Sequence, residues 1–395
     1  MSRVLPRTLR RPSWPALGWL GGLVIALVAG VILAVNSDAA KTDVRTAAGP
    51  PEGSSGPLAT QLEALWSTDS ADDDQRTDDQ QTVARGTVIT SSERGVRGLD
   101  PLTGEERWHY LRSNATMCDL TVLDDVVVAI YRTTGRCNEA VALEAGTGVR
   151  RWYRNVGFSD GLSLLGSGTT ALAATPGGIA VLDAVGNSIR WRYNPPQGCE
   201  LSSIGIGING VVVLERCRTG TTWLAAFALD SGDQQWRVAP PPGEVIVLGA
   251  DGVISLLAGQ QLTILSARDG SELSTVVTDS ARSETAASMF AGQPGGGGVP
   301  LVHVAGRLYA IDPVTGAQLW SVAASGLPAD GDLGVVVPEA GAFVTRNPLT
   351  GQEITRSVVT GDTAAQPAGT DDLIRIEQTG SALIAVTGQG LVAYG

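Results

Sequence analysis

One motif, an apolar pair followed by a polar residue, a glycine-bearing turn and then tryptophan, recurs along most of this 395-residue chain. The copies read GLDPLTGEERW ending at Trp108, ALEAGTGVRRW at Trp152, VLDAVGNSIRW at Trp191, ALDSGDQQW at Trp236, ILSARDGSELS at Ser274, AIDPVTGAQLW at Trp320 and TRNPLTGQEIT at Thr355. Neighbouring copies lie 35 to 46 residues apart, close to the length of a four-stranded propeller blade. Short β-branched runs bounded by glycine precede the motif, among them VVVAIYRT, GVVVLERC, GVISLLAG and VPLVHVAG, and read as strands. Pro101, Pro313 and Pro348 preset φ at the turn entry, while Gly104, Gly148, Gly270, Gly316 and Gly351 accept the left-handed conformation that such turns need.

An eighth copy is split between the ends of the chain. LIAVTGQGLVAYG at the C-terminus supplies inner strands, and LEALWST with Trp66 supplies the outer one. A sheet built from both ends closes the ring and removes two open edges. The expectation is an all-β, eight-bladed β-propeller over residues 60–395, with Trp66, Trp108, Trp152, Trp191, Trp236 and Trp320 packed between adjacent blades. A seven-bladed ring is the alternative, because SGLPADGD in the seventh copy is a poor innermost strand. Composition agrees: Gly 50, Pro 20 and only 17% charged residues suit short strands and tight turns, and 43% hydrophobic residues exclude wholesale disorder.

Residues 16–35, ALGWLGGLVIALVAGVILAV, contain no charge and at about 1.5 Å each would span roughly 30 Å, the thickness of a bilayer core. Four arginines (Arg3, Arg7, Arg10, Arg11) precede the run, so the positive-inside rule leaves residues 1–15 in the cytoplasm and the rest outside the cell membrane. The run exceeds the apolar region of a cleaved signal peptide, which favours an uncleaved anchor. Residues 36–59, rich in Ala, Gly, Pro and Ser, read as a flexible tether. Fifteen cytoplasmic residues are too few for a signalling domain of the chain's own. From residue 36 onward the chain carries 40 acidic and 24 basic groups, a balance that repels phosphate backbones and excludes nucleic acid as a partner.

The A-[IL]-D-x-x-T-G-x-x-x-W pattern resembles the quinoprotein-type (PQQ-like) propeller repeat. That repeat implies fold more than function, because quinone-cofactor dehydrogenases and non-catalytic envelope proteins similar to the assembly factor BamB share it. Together with the near-exclusive use of Arg over Lys, Lys41 being the single lysine, the architecture is also similar to actinobacterial membrane-anchored propellers of polar growth and mycolate-glycolipid export.

The four cysteines all fall on the outer side, where disulfides persist. Cys118 lies 10 residues after Trp108 and Cys199 lies 8 after Trp191, whereas Cys137 and Cys217 each follow a strand, so equivalent register pairs Cys118 with Cys137 and Cys199 with Cys217, each bond joining neighbouring strands of one blade. No C-x-x-C spacing occurs and only two histidines exist, His109 and His303, so no metal site is expected. Quinone dehydrogenases of the resembling type carry a vicinal Cys–Cys disulfide, and no two cysteines here are adjacent. G-x-S-x-G, phosphate-loop and H-E-x-x-H motifs do not appear. The chain is read as a non-enzyme without cofactor.

Two regions remain as recognition candidates. Residues 69–79 hold six aspartates, including Asp72, Asp73 and Asp74, at a spacing that misses the calcium-loop pattern; a solvated loop, calcium or a basic partner are its readings. The ends of the outer strands should carry Tyr110, Arg112, Arg154, Phe158, Arg192 and Tyr193 onto the face opposite the T-G turns, where aromatic and Arg side chains suit recognition. The resulting expectation is a membrane-anchored extracytoplasmic scaffold in envelope assembly, binding a mycolate glycolipid such as trehalose monomycolate and assisting a lipid transporter. A quinone-dependent dehydrogenase and a ligand-sensing subunit of a membrane complex are the alternatives.

Overall fold

The structure, a computed structural model, describes residues 37, 39–51, 56–69, 82–158, 161–278, 287–292, 298–360, 373–388 and 390–395. Among them the chain forms eight sheets. Blade 1 comprises Thr82–Ala84, Thr87–Ser92, Gly95–Leu99 and Glu106–Arg112, hydrogen-bonded in that order. Blades 2 to 7 repeat the meander, beginning at Thr116, Ser163, Cys199, Val245, Ala287 and Ala329. Blade 8 takes Leu373–Thr379, Ala382–Thr387 and Gly390–Tyr394 from the C-terminus and its outermost strand, Ala64–Asp69, from the N-terminal side. The first strand of each blade touches the first strand of the next, and that of blade 8 touches Thr82–Ala84. The ring therefore closes with eight blades rather than seven, even though the innermost strand of blade 7 is only Ala329–Gly331.

Burial follows position within a blade. Second strands such as Thr87–Ser92 and Ala382–Thr387 are buried at every residue because both of their faces meet a neighbouring blade. Outer strands alternate, as Arg150–Phe158 does by burying Trp152, Val156 and Phe158 while exposing residues between them. The repeat tryptophans join these layers. Each indole Nε1 donates to a carbonyl in the turn of the following blade, at 2.6 to 3.0 Å: Trp66 to Pro101, Trp108 to Ala145, Trp152 to Ala184, Trp191 to Leu229, Trp236 to Ala267 and Trp320 to Pro348. Ser274 makes the same link to Gly316 through its hydroxyl.

The turns are preset to receive the indole. In blade 1 the Asp100 carboxylate accepts from the amides of Leu102 and Thr103, at 3.0 and 3.2 Å, and Gly104 follows with φ 71°. A Cβ on Gly104 would stand 2.8 Å from the Trp66 ring, so this glycine answers both to its backbone angle and to the ring packed on it. In blade 3 Asn187, with φ 51°, takes the same place, the substitution that the left-handed region tolerates best.

Two expectations are corrected here. The stretch 36–59 does not hang free along its length: Thr42–Arg45 is a fifth, antiparallel strand on the outer edge of blade 1, and the amide of Ala47 donates to Thr147 O at 2.9 Å. Arg107 Nη2 also holds Gly49 O at 2.9 Å. The cause is the unpaired backbone edge of Glu106–Arg112, which a polar segment such as TDVR can satisfy without an apolar pattern. Gln61–Leu62 likewise runs parallel to Glu353–Val359 as a fifth strand of blade 7. Both disulfides, Cys118–Cys137 and Cys199–Cys217, are formed. Cys199 and Cys217 face each other on adjacent strands, but Cys118–Cys137 joins the first and third strands of blade 2 across the end of the second, Cys118 lying in a bulge between Met117 and Asp119. The apolar run 16–35 lies outside the described residues, among which no helix is long and apolar enough to cross a membrane.

Candidate functional site

Chain direction gives the ring two faces. The T-G turns and the turns between first and second strands share one, here the turn face; the passages between blades and the turns between second and third strands share the other, the passage face. Tyr110, Arg112, Arg154, Phe158, Arg192 and Tyr193 all belong to outer strands running toward the passage face, but they do not form one open surface. Phe158 is buried with Arg192 stacked above it, 5.4 Å from guanidinium carbon to ring centre. Arg154 donates to Asn187 O in the turn of blade 3, and Tyr193 donates its hydroxyl to the fully buried Glu215 of blade 4. Arg237 completes this last group, 2.5 Å from Glu215 and over the Trp223 ring. Burial, reinforced by the Glu215 carboxylate, pushes the Tyr193 hydroxyl well above its ordinary pKa. These four side chains therefore hold blades to one another, because an outer-strand residue directed into a seam finds the next blade before it finds solvent.

Tyr110 and Arg112 have a different setting. Both are buried, and Arg112 forms an ion pair with Glu139 of blade 2 while stacking on Tyr131 at 5.5 Å. They floor a groove of about 360 Å³ whose walls are Ala39, Thr42 and Val44 on one side and Arg150 and Tyr153 on the other. Val44 and Tyr153 stay nearly half exposed at its mouth. The groove exists because Thr42–Arg45 extends blade 1 outward beside the outer strand of blade 2. Sequence reasoning found the floor and missed the walls. Tyr153 was legible in principle as the solvent-facing residue of an alternating strand, whereas TDVR carries no strand signal at all.

His109 secures that added strand. Its Nδ1 lies 2.6 Å from Glu106 and its Nε2 3.3 Å from Asp43 of the docked segment. Burial disfavours the imidazolium, but the hydrogen bond to Glu106 and the nearby carboxylates of Glu106 and Asp43 outweigh it and raise the pKa. His303 is buried, with Nε2 donating to Ala324 O at 3.0 Å. Asp72, Asp73 and Asp74 lie outside the described residues.

A second cavity, about 530 Å³, follows the axis of the ring and is lined by first-strand residues including Thr82, Asp119, Ser163 and Arg375, together with Asp251 from the turn after the first strand of blade 5. Its carboxylates serve as joints: Asp119 accepts from Leu164 N of the next blade at 2.6 Å, and Asp251 from Ile208 N of the preceding blade at 2.8 Å. Beside it, burial raises the pKa of Glu377, with Arg375 and a 3.0 Å hydrogen bond from Thr82 opposing and Asp330 adding to the effect. Among the described residues no three His, Cys, Asp or Glu side chains gather as metal ligands would.

A closed ring of eight blades built on four-stranded meanders, latched by tryptophan and joined at its termini, defines a repeat β-propeller. The match to known families is specific: residues 136–296 and 304–393, more than half of the chain, fit the family described as outer membrane protein assembly factor BamB, and the chain belongs to this PQQ-like propeller family. Among curated proteins it is similar to the serine/threonine-protein kinase AfsK of Streptomyces griseus, 28% identical over 169 residues, which are 39% of this chain and 20% of that one. The chain thus spans about a fifth of that relative's length. Among solved structures, the computationally designed Ika8 protein shares the fold with 15% identity over 85% of this chain and 99% of its own, at a TM-score of 0.56. The C-terminal WD40 domain of Sif2 does so with 9% identity over 86% and 99%, at 0.53.

Proposed function

We propose that this chain works without catalysis, as an extracytoplasmic binding or scaffold protein of the cell envelope, held at the membrane by residues 16–35 with its N-terminus inside. The observation that carries the reading is membership of the BamB-described family over more than half of the chain. The finer form of the proposal, a mycolate glycolipid carried for a lipid transporter during polar growth, has the Tyr110–Arg112 groove as its site: Val44 and Tyr153 offer apolar surface beside the buried Arg112–Glu139 pair. Native mass spectrometry of the full-length protein, extracted gently from its own membranes, tests this. An adduct of glycolipid mass that disappears on Tyr153→Asp supports it; a bare mass matching the chain with two disulfides removes the lipid and leaves scaffolding. Turnover of an alcohol or sugar after reconstitution with the quinone and calcium would overturn the non-catalytic reading.

The similarity to a fifth of AfsK favours one second reading, a ligand-sensing subunit reporting to a separate membrane protein. Crosslinking in membranes separates the two: a sensor yields one stoichiometric signalling partner, a carrier does not.

A further inference from the structure

The structure assigns an orientation to the ring. The N-terminal segment is fixed to the body of the protein from Lys41, whose carbonyl accepts from the amide of Ser113, in the passage between blades 1 and 2, at 2.9 Å and from its hydroxyl at 3.0 Å. Thr42 then pairs with Arg112, at the passage end of the outer strand. Only five residues separate Val35, the last of the apolar run, from Lys41, and even fully extended the six steps between them reach about 20 Å. A span ending at Val35 therefore cannot leave the passage side of blades 1 and 2 farther than that from the bilayer, whereas a free tether of 36–59 would have left the domain unoriented.

Charge distinguishes the same corner. Arg94 lies in the turn between second and third strands of blade 1, and Arg132 and Arg136 flank the equivalent turn of blade 2; all three are exposed, and Lys41 is partly so. Glu93 within these turns and Asp43 on the docked strand are the exposed acidic neighbours. On the turn face the balance is different, the exposed carboxylates Glu105, Asp124, Asp230, Asp233, Asp269, Glu272 and Asp332 outnumbering the exposed arginines Arg85, Arg150, Arg151 and Arg268. The acidic segment 70–79 lies outside the described residues. An eight-residue strand such as Cys137–Glu144 spans roughly 25 Å, and the Debye length at physiological salt is about 8 Å, so the turn face is electrostatically remote from a surface touching the passage face. A body that is acidic as a whole thus presents a locally basic surface at this corner, by which it can approach an anionic membrane.

We propose that the passage-side corner formed by Lys41, Arg94, Arg132 and Arg136 docks on a bilayer bearing anionic phospholipid headgroups, presenting the turn face to the aqueous side. The Tyr110–Arg112 groove then opens beside the membrane surface. The proposal rests on the anchor assigned to residues 16–35 in the preceding reading.

Energy transfer tests it on the full-length protein in vesicles of phosphatidylcholine mixed with phosphatidylglycerol, with an acceptor dye on the lipid. The donor is placed in blade 2 through either Thr134→Cys, on the passage face, or Val149→Cys, on the turn face. Docking gives several-fold stronger transfer from position 134, and Arg94→Glu with Arg136→Glu, or pure phosphatidylcholine, removes most of the difference. Salt at 1 M, where the Debye length is about 3 Å, does the same. Equal transfer from both positions, stronger transfer from 149, or no response to charge reversal overturns the proposal. Thermal melts matching the parent protein confirm that the charge-reversed variant is folded. Carbonate extraction distinguishes the two layers of argument: release of the full-length chain refutes the anchor, whereas retention with equal transfer refutes only the docking.

Discussion

The seam between blades 1 and 2 and the seam between blades 7 and 8 are closed by different means. At the first, the repeat supplies everything: Trp108 is fully buried, donates to Ala145 O at 3.0 Å and lies against Gly148, whose Cβ would stand 2.6 Å from its ring. At the last, Thr355 occupies the tryptophan position and the repeat supplies little. The two ends of the chain substitute. Leu62 is fully buried among Val336, Phe343, Ile376, Leu383 and Tyr394, the Phe343 and Tyr394 rings lie 5.5 Å apart, and Glu63 and Gly395 exchange two backbone hydrogen bonds of 3.1 Å. A repeat can therefore lose its signature side chain where another segment brings equivalent apolar volume and satisfies the exposed edge. The cost is that one seam depends on residues three hundred positions apart.

The largest effect should come from removing that substitution outright. Deleting Gln61–Asp69 strips blade 8 of its outer strand and uncovers the seam, and we expect a loss of more than about 5 kcal/mol, visible as the disappearance of the cooperative thermal transition. Retention of that transition would mean that the seven complete blades suffice. Next come the two single-side-chain equivalents, Trp108→Ala at about 4 kcal/mol and Leu62→Ala at about 3, both read from urea denaturation. A Leu62 effect below about 1 kcal/mol would show that the backbone bonds alone hold the terminal seam.

The disulfides sharpen the comparison from another side, since both lie in blades whose seams carry tryptophan. They close loops of similar length, with sequence separations of 19 and 18, so paired Cys→Ser replacements in either blade should each cost about 3 kcal/mol despite their different strand geometry. Unequal losses would assign part of the effect to the native fold of blade 2 or blade 4. The smallest expected effect concerns Thr42–Arg45. With the pKa of His109 raised in the folded state, its contribution is fully present below the ordinary histidine value and is lost as pH rises through the folded one. Hydrogen-exchange protection of residues 42–45 should therefore fall between mildly acidic and alkaline pH, and His109→Gln should flatten that dependence. Unchanged protection in the parent protein would sink the assignment.

The sequence by itself determined the repeat, the split eighth copy, the seam role of six tryptophans and the cysteine partners, and left the ring at eight blades or seven until its closure was seen. Each of these is local or periodic: a blade is one contiguous meander, a T-G turn is encoded in a few residues, and a cysteine's place in the repeat is countable. Tertiary structure alone decided the rest. Thr42–Arg45 and Gln61–Leu62 are strands only because a distant edge offers them partners. Phe158, Arg192 and Tyr193, which look like recognition residues on an isolated strand, are spent in seams because ring closure brings another blade against them. Cys118 could be matched to Cys137 by counting, yet the bulge that carries the bond past an intervening strand has no sequence signal. Docking of residues 39–51 turned a stretch that reads as a tether into the feature that fixes which side of the ring the chain enters, because backbone pairing depends on what is nearby and not on what the segment itself contains.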